Sequence, residues 1–182
     1  MPSETLNFIL GQNNAGKTTI LESVYLASTS KSFKSSDLDK LANSEANGYR
    51  ISIKFEQMSS NDVIIFEKYL NKPKKLFLND KHISVSQSMR SLPIQMLNFG
   101  NQNIFNQKSD IRRSFIDWGV FHVEPRYGDD LKSLVAILQS RNKVLKQRNR
   151  LEIKVWTEKF IDVALKVNSL RQAYFDKLNP EF

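Results

Sequence analysis

Gly11-Gln12-Asn13-Asn14-Ala15-Gly16-Lys17-Thr18 spells G-x-x-x-x-G-K-[ST] in full, the pattern of a phosphate-cradling P-loop. The spelling has a physical origin. A loop that wraps a β-phosphate must turn successive backbone N–H groups inward, and bulky side chains would block that approach. The loop then feeds a helix whose N-terminal N–H groups and dipole favour an anion. In such a loop Lys17 reaches the β and γ oxygens of a nucleotide, and Thr18 offers its hydroxyl to Mg²⁺. Asn14 stands at a position that calls for positive φ, and Asn is the non-glycine residue that tolerates it best. The sequence therefore predicts Asn14 in the left-handed region.

The flanks supply the required context. Leu6-Asn7-Phe8-Ile9-Leu10 is a short apolar run ending in Gly11, which reads as a buried strand. From Thr18 to Ser28, apolar Ile20, Leu21, Val24 and Ala27 recur at helical spacing. Residues 28–48, rich in Ser, Lys, Asn and Asp, read as an exposed loop with at most a short helix.

Beyond the loop the pattern changes period. Tyr49, Ile51, Ile53 and Phe55 alternate as in a half-buried strand, and Asp62 to Leu70 is a second β-rich run. Leu76-Phe77-Leu78 and Ile83 flank Asn79-Asp80-Lys81, a hairpin turn. These runs predict an antiparallel meander. Val63-Ile64-Ile65-Phe66-Glu67 imitates the Walker B spelling, but it lies within this meander and carries no second acid, so it reads as a structural strand. Ile94 to Phe99 is a further strand candidate, and Gly100 to Ser109 a polar loop.

From Asp110, taken as an N-cap, the chain reads as helical. Ile153, Trp156, Phe160, Val163, Val167, Leu170 and Tyr174 recur at alternating steps of three and four, a heptad-like seam. Leu131, Leu138 and Leu145, with Ile137, Val144 and Leu151, form two columns at seven-residue intervals. Two helices joined near 151–156 would pack as an antiparallel pair and hide both stripes. The expected organisation is a partial P-loop core with its β meander over residues 1–109 and a helical lobe over 110–182. Arg141 and Arg148 fall near the packed seam, where an unpaired charge is costly, so pairing with Glu158 or Asp162, or snorkelling to the edge, is expected. Asp117 reads as a surface acid with Arg113 as its i−4 partner, Trp118 as a core residue and His122 as structural.

The chain holds 182 residues, 40% of them hydrophobic and 12 of them Phe, with a net charge of +8. This suits a folded α/β protein with a polyanionic partner. It has no Cys and two His, His82 and His122, so disulfides and thiolate metal sites are excluded. No stretch reaches the ~20 apolar residues that cross a bilayer, and the start shows no basic leader. The expected location is the cytoplasm.

The order of motifs resembles the RecF family of bacterial DNA replication and repair ATPases. The P-loop is followed by Ile20-Leu21-Glu22-Ser23-Val24-Tyr25-Leu26 and Lys31-Ser32-Phe33-Lys34, and the match returns at Leu92-Pro93-Ile94-Gln95. It is most specific at Arg112-Arg113-Ser114-Phe115-Ile116-Asp117-Trp118-Gly119-Val120-Phe121-His122, and resumes at Leu145-Lys146-Gln147-Arg148-Asn149. The resemblance implies an α/β P-loop NTPase fold of ABC-ATPase type, truncated at both ends. It implies ATP held by Gly11, Gln12, Asn13, Asn14, Ala15, Gly16, Lys17, Thr18 and Thr19, with Mg²⁺ on Thr18. DNA with single-strand/double-strand junctions, an ATP-dependent homodimer, recombination mediators and a recombinase are the implied partners.

Three departures stand out. Only ten residues precede Gly11, where the family carries a further strand region. Phe99-Gly100 replaces a Pro–acid pair, and Gln107-Lys108-Ser109 replaces Gly-Gly-Pro before the double Arg. No LSxGQ-like string or late Walker B strand is present in these 182 residues, so ATP binding with poor hydrolysis is expected. Arg141, Lys143, Lys146, Arg148, Arg150 and Lys154 are countered nearby by Glu152 alone. They form either a solvated helix face or a phosphate-neutralising one. Lys143, Lys146, Arg150 and Lys154 face outward together and are the DNA-binding candidates. Arg112 and Arg113 read as anchors of the helical lobe. The alternatives are a small P-loop kinase, which the meander disfavours, and an inactive truncated product.

Overall fold

The computed structural model describes residues 5–57, 60–96, 109–147 and 149–178. They form two compact units, divided after Met96. The first contains helix α1 (Lys17–Thr29), a four-stranded antiparallel sheet and helix α2 (Val85–Ser91). Its strands are β1 (Gly48–Gln57), β2 (Ser60–Tyr69), β3 (Lys75–Leu78) and β4 (Lys81–His82), paired in chain order. The second unit is helical, with α3 (Ser109–Val123), α4 (Tyr127–Gln147) and α5 (Arg150–Leu178).

The meander forms because its strands share one apolar face. Ile51 pairs with Phe66 and Ile53 with Ile64, while Leu76 and Leu78 continue the same rows from β3. Opposite residues in antiparallel strands lie on one face, so these side chains build a continuous surface. Leu26 and Ala27 of α1 pack on it, together with Ile83. Arg50, Ser52, Lys54 and Glu56 point the other way and are exposed. Glu67, the acid of the Walker B imitation, lies opposite Arg50 with 3.5 Å between Nε and Oε1; the strand is part of the meander.

The β3–β4 turn is set by Asn79 at φ 48° and Asp80 at φ 65°, the two left-handed residues that a tight hairpin of the favoured twist requires. The Asn79 side chain also accepts from the Val63 N–H at 2.9 Å.

Among the described residues of this unit, Glu22 and Lys68 are the buried charges. Lys68 is 9% exposed, and its ammonium donates to Asp39 and to the carbonyls of Tyr69 and Lys72 at 2.9 and 2.8 Å. With each proton accepted, the desolvation cost is offset. Asp39 belongs to a 3₁₀ turn, Leu38–Leu41, within the polar loop. Nearby Tyr49 is pushed up to about 12 by burial and then by the carboxylates of Asp39 and Glu22.

In the helical unit Val120, Tyr127 and Val167 are fully buried or nearly so, ringed by Ile116, Leu131, Leu134, Val163, Leu170 and Tyr174. The seam of α5 thus faces its neighbours as its spacing predicts. Gly119 allows α3 to approach α5, because a Cβ there would lie 2.3 Å from the Tyr174 ring. Overpacking of this kind costs typically 1–3 kcal/mol. Gly119→Ala is therefore expected to lower the thermal transition of the helical unit, measured by circular dichroism, and Gly119→Ala/Tyr174→Leu to recover part of the loss.

Several expectations need correction. Residues 6–10 are not in a strand, and Leu6, Phe8 and Leu10 are 65%, 77% and 88% exposed. A strand exists through its pairing in a sheet, and the sheet of the described residues is made of β1 to β4 alone. Residues 94–96 are likewise not in a strand, while 97–99 of that strand candidate and 100–108 of the following loop lie outside the described residues. Asp110 is not an N-cap, since α3 already includes Ser109. Helix α5 already begins at Arg150, so the two helices are not joined at 151–156. As a result Leu151 is 82% exposed, and Leu138 and Leu145 are also exposed. Arg141 pairs with neither Glu158 nor Asp162. Its Nε donates to Thr157 Oγ1 at 3.0 Å, and its guanidinium lies 5.7 Å from the Phe160 ring centroid, where a cation meets the negative face of the π system. Arg148 lies outside the described residues.

Candidate nucleotide-binding site

The loop between Gly11 and Lys17 has the backbone that its sequence demands. Asn14 lies at φ 63° and Gly16 at φ 83°, so the predicted left-handed Asn14 is observed. These two left-handed residues reverse the chain twice within three positions. The Ala15 N–H donates to the Gln12 carbonyl at 3.2 Å, which closes the turn. Gly16 is the N-cap of α1 and no side chain caps that helix end, so the first-turn N–H groups lack the usual serine or aspartate acceptor. A Cβ on Gly16 would meet nothing within 4 Å; the demand for glycine there comes from φ alone.

Lys17 folds back along the loop. Its Nζ donates to the carbonyls of Gly11 and Gln12 at 2.7 and 2.6 Å. The ammonium thereby holds the start of the loop against the start of the helix. Thr18 and Thr19 are exposed in the first turn of α1, and residues 11–15 are exposed as well. The loop presents backbone donors, one cation and the exposed hydroxyls of Thr18 and Thr19.

The far side of α1 is fixed by contacts that sequence reasoning missed. Glu22 is 4% exposed; the Ser32 hydroxyl donates to it, and Lys34 Nζ lies 3.2 Å from its other oxygen. The segment Lys31-Ser32-Phe33-Lys34 is thus tied to the P-loop helix through a buried carboxylate. At the end of α1, Ser88 Oγ donates to the Ala27 carbonyl at 2.7 Å and Ser28 Oγ to the Leu92 carbonyl at 2.6 Å. Helix α2, which supplies Ser88, was also missed. Its signal is spelled in Ser84-Val85-Ser86-Gln87, a capping box in which Ser84 and Gln87 satisfy each other's backbone N–H groups.

The second group of candidates lies where α4 meets α5. Lys143, Lys146, Arg150 and Lys154 are all exposed. Glu152, the acid among them, accepts from Asn149 Nδ2 at 2.8 Å, so its charge is engaged in capping the start of α5. The remaining sequence candidates are structural here. His122 Nδ1 lies 2.7 Å from the Trp118 carbonyl, with the two rings 4.3 Å apart. Asp117 does not pair with Arg113. It takes a two-pronged bond from Arg171, at 2.7 and 2.9 Å, and a hydrogen bond from Tyr127. Arg113 Nε turns back to the Ser109 carbonyl at 3.1 Å. Among the described residues no cluster of His, Asp and Glu could hold a metal ion, and no helix is long and apolar enough to cross a membrane.

No family model matches the chain. Individual relatives do. It is 31% identical to the DNA replication and repair protein RecF of Shewanella piezotolerans over 180 residues, covering 98% of this chain and 50% of that one. It is 34% identical to RecF of Francisella tularensis subsp. holarctica over 181 residues, covering 97% and 51%. The chain spans about half the length of the curated relatives it matches. Among solved structures, the recombination mediator protein RecF-ATP in the RecFOR pathway aligns over 91% of this chain and 46% of its own, at a TM-score of 0.79 and 20% identity. The corresponding RecF-ATPrS structure gives 0.77 at 20% identity. The likeness shows the fold, an α/β arrangement consistent with a partial ABC-like P-loop core.

Proposed function

We propose, on the premise that this chain is a RecF-family sequence spanning about half of a RecF protein, that it binds ATP with Mg²⁺ through residues 11–19. The observation that carries this reading is the loop backbone, with Asn14 and Gly16 both at positive φ directly before an uncapped helix start. Lys17, now on the Gly11 and Gln12 carbonyls, would turn to the phosphates, and N–H groups of the loop and of the first turn would donate to them. Thr18 would supply the hydroxyl ligand to Mg²⁺, and Thr19 follows it in the same turn. The magnesium supplies charge neutralisation when present.

Hydrolysis needs more than this chain holds. Phosphoryl transfer depends on positioning the attacking water and stabilising spread charge, and neither a signature string nor a late Walker B acid is in the sequence. The expected result is ATP retention in equilibrium dialysis with phosphate release near background. Robust release by the purified chain, lost in Lys17→Ala, would overturn the second half of that statement.

The whole-protein role that this reading implies is DNA repair: ATP-linked association with DNA at single-strand/double-strand junctions, in a homodimer, with recombination mediators and a recombinase as partners. In this chain the outward cations at the α4–α5 tip are the proposed DNA contacts. Each phosphate neutralised on duplex DNA contributes about 0.9 to the slope of log affinity against log salt. Replacing Lys143, Lys146, Arg150 and Lys154 by Gln should therefore flatten that slope by roughly 3–4. An unchanged slope would place the contacts elsewhere.

A further inference from the structure

Asn47-Gly48 is the one Asn-Gly pair in the sequence, and it stands where the polar loop enters β1. Its chemistry depends on two atoms, the Asn47 side-chain carbonyl carbon and the Gly48 backbone nitrogen. Pairing with β2 decides where that nitrogen points. The Val63 carbonyl accepts from the Asn79 N–H at 3.0 Å and the Val63 N–H donates to Asn79 Oδ1 at 2.9 Å, so Val63 turns its backbone groups away from β1. That direction alternates along a strand, so Ile64, Phe66, Lys68 and Leu70 turn theirs toward β1. The Leu70 N–H accordingly donates to the Asn47 carbonyl at 3.0 Å. Gly48 lies opposite Tyr69, one step out of phase, and therefore directs its N–H away from β2. Strand β1 is the end strand of the sheet, so among the described residues that N–H has no ladder partner. Asn47 is exposed, and its side chain makes no hydrogen bond among the described residues. Asn79, by contrast, has Nδ2 on Asp62 at 2.7 Å and Oδ1 on the Val63 N–H. A Cβ at position 48 would lie 2.4 Å from the Lys68 carbonyl oxygen. Glycine is required there, and it leaves the nitrogen without a shielding side chain.

We propose that Asn47 is a self-modifying position, which loses its amide to the Gly48 nitrogen and ages to aspartate and isoaspartate. Asparagine is a thermolabile residue, and here both reacting atoms are free. In the first step the Gly48 nitrogen gives up its proton and bonds to Asn47 Cγ. The Cγ–Nδ2 bond breaks, ammonia leaves, and a succinimide ring remains. Water then opens the ring, and nothing is oxidised or reduced. Cleavage of the new Cγ–N bond gives aspartate at position 47 with the backbone unchanged. Cleavage of the original peptide C–N bond gives isoaspartate, whose main chain runs through Cβ and Cγ and is one atom longer. Either product carries a carboxylate, so each event removes one unit from the formal net charge of +8. Isoaspartate also converts the carbonyl that Leu70 uses into a side carboxylate, which disturbs the entry of β1 into its pairing with β2. The sheet carries Leu26 and Ala27 of α1, so isoaspartate weakens the unit that holds the 11–18 loop. The inference stands apart from the P-loop reading and needs no nucleotide.

The test ages the full chain at neutral and at mildly alkaline pH, beside a peptide of residues 43–52 as the unshielded reference. Tandem mass spectrometry follows every asparagine, and methylation by a protein isoaspartate methyltransferase marks the isoaspartate. Asn47 should convert before any other asparagine of the chain, at a rate close to the peptide's. Conversion should be faster at the higher pH, because the deprotonated nitrogen is the nucleophile. Asn79, held at both ends of its amide, should persist. Asn47→Gln should remove the early conversion and leave the thermal transition unchanged. Asn47→Asp copies the aspartate product and should melt like the wild type, whereas the isoaspartate fraction, separated by ion exchange, should melt lower. Persistence of Asn47 in the folded chain while the peptide converts would overturn the proposal, since the fold would then be shielding the Gly48 nitrogen. Earlier conversion of another asparagine would overturn it as well. An isoaspartate fraction that melts together with the aspartate fraction would refute the effect on β1.

Discussion

Mg-ATP at a hundredfold excess over its dissociation constant is expected to stabilise the first unit by about 2.7 kcal/mol, and Lys17→Ala to abolish that gain. The magnitude follows from linkage, because a ligand that binds only the folded loop withdraws folded molecules from the unfolding equilibrium. For a unit of this size the transition should move upward by about 11–22 °C. The variant should not destabilise the unliganded protein appreciably, since the Lys17 side chain is bonded only to two exposed carbonyls that water can satisfy. That contrast separates loss of binding from loss of fold. Differential scanning fluorimetry with and without Mg-ATP reads both. An equal upward shift in wild type and Lys17→Ala would mean that the nucleotide binds elsewhere.

The largest expected effect on stability lies in the helical unit. Asp117 accepts two bonds from Arg171 and one from Tyr127, and the Tyr127 residue is fully buried. Burial and the Asp117 hydrogen bond push the Tyr127 hydroxyl up, so it stays protonated and donates, while its hydrogen bond with Asp117 raises Arg171. Asp117→Ala leaves a mostly buried guanidinium and a buried hydroxyl without their acceptor. Breaking such a pair from one side costs about 3–5 kcal/mol in a fully buried setting. With side-chain exposures of 23% for Arg171 and 18% for Asp117, the lower end, about 3 kcal/mol, is expected. Asp117→Asn keeps one acceptor and should cost less. Chemical denaturation followed by helical circular dichroism measures both, and a stability ranking with Asn below Ala would contradict this account.

The features legible in the sequence are those whose physics is local. The left-handed Asn14 follows from the loop spelling, and the Asn79-Asp80 turn and the alternation of Tyr49 to Phe55 follow from chain geometry over a few residues. The α5 seam is similarly readable, because a helix repeats its own periodicity. What escaped is non-local. Leu6 to Leu10 has strand composition, yet a strand needs a partner that no run of five residues can specify. Asp117 has an arginine four residues before it, and the local rule would pair them. Instead it is met by Arg171, 54 positions away, because packing of α3 on α5 brings a bidentate fork into reach. The tie from Glu22 to Ser32 and Lys34 is of the same kind. Helix α2 is a different case: its capping box is spelled locally, and its short length concealed it among polar residues.

The candidate site divides along the same line. The backbone of the 11–18 loop was legible, since its eight consecutive residues specify the turn with Asn14 left-handed. The exposure of Lys143, Lys146, Arg150 and Lys154 was also readable, but they do not share one helix face, because Lys143 and Lys146 belong to α4 and Arg150 and Lys154 to α5. The outward direction of the Gly48 N–H was not, because only pairing with β2 decides which way it points.

Amide hydrogen exchange across residues 11–19, with and without Mg-ATP, tests the central claim most directly. Saturating nucleotide should slow exchange at the loop and first-turn amides of α1 while leaving the meander strands unchanged. Nucleotide retention without slowing in that segment, or no retention at all, would contradict the assignment of this loop as the triphosphate cradle.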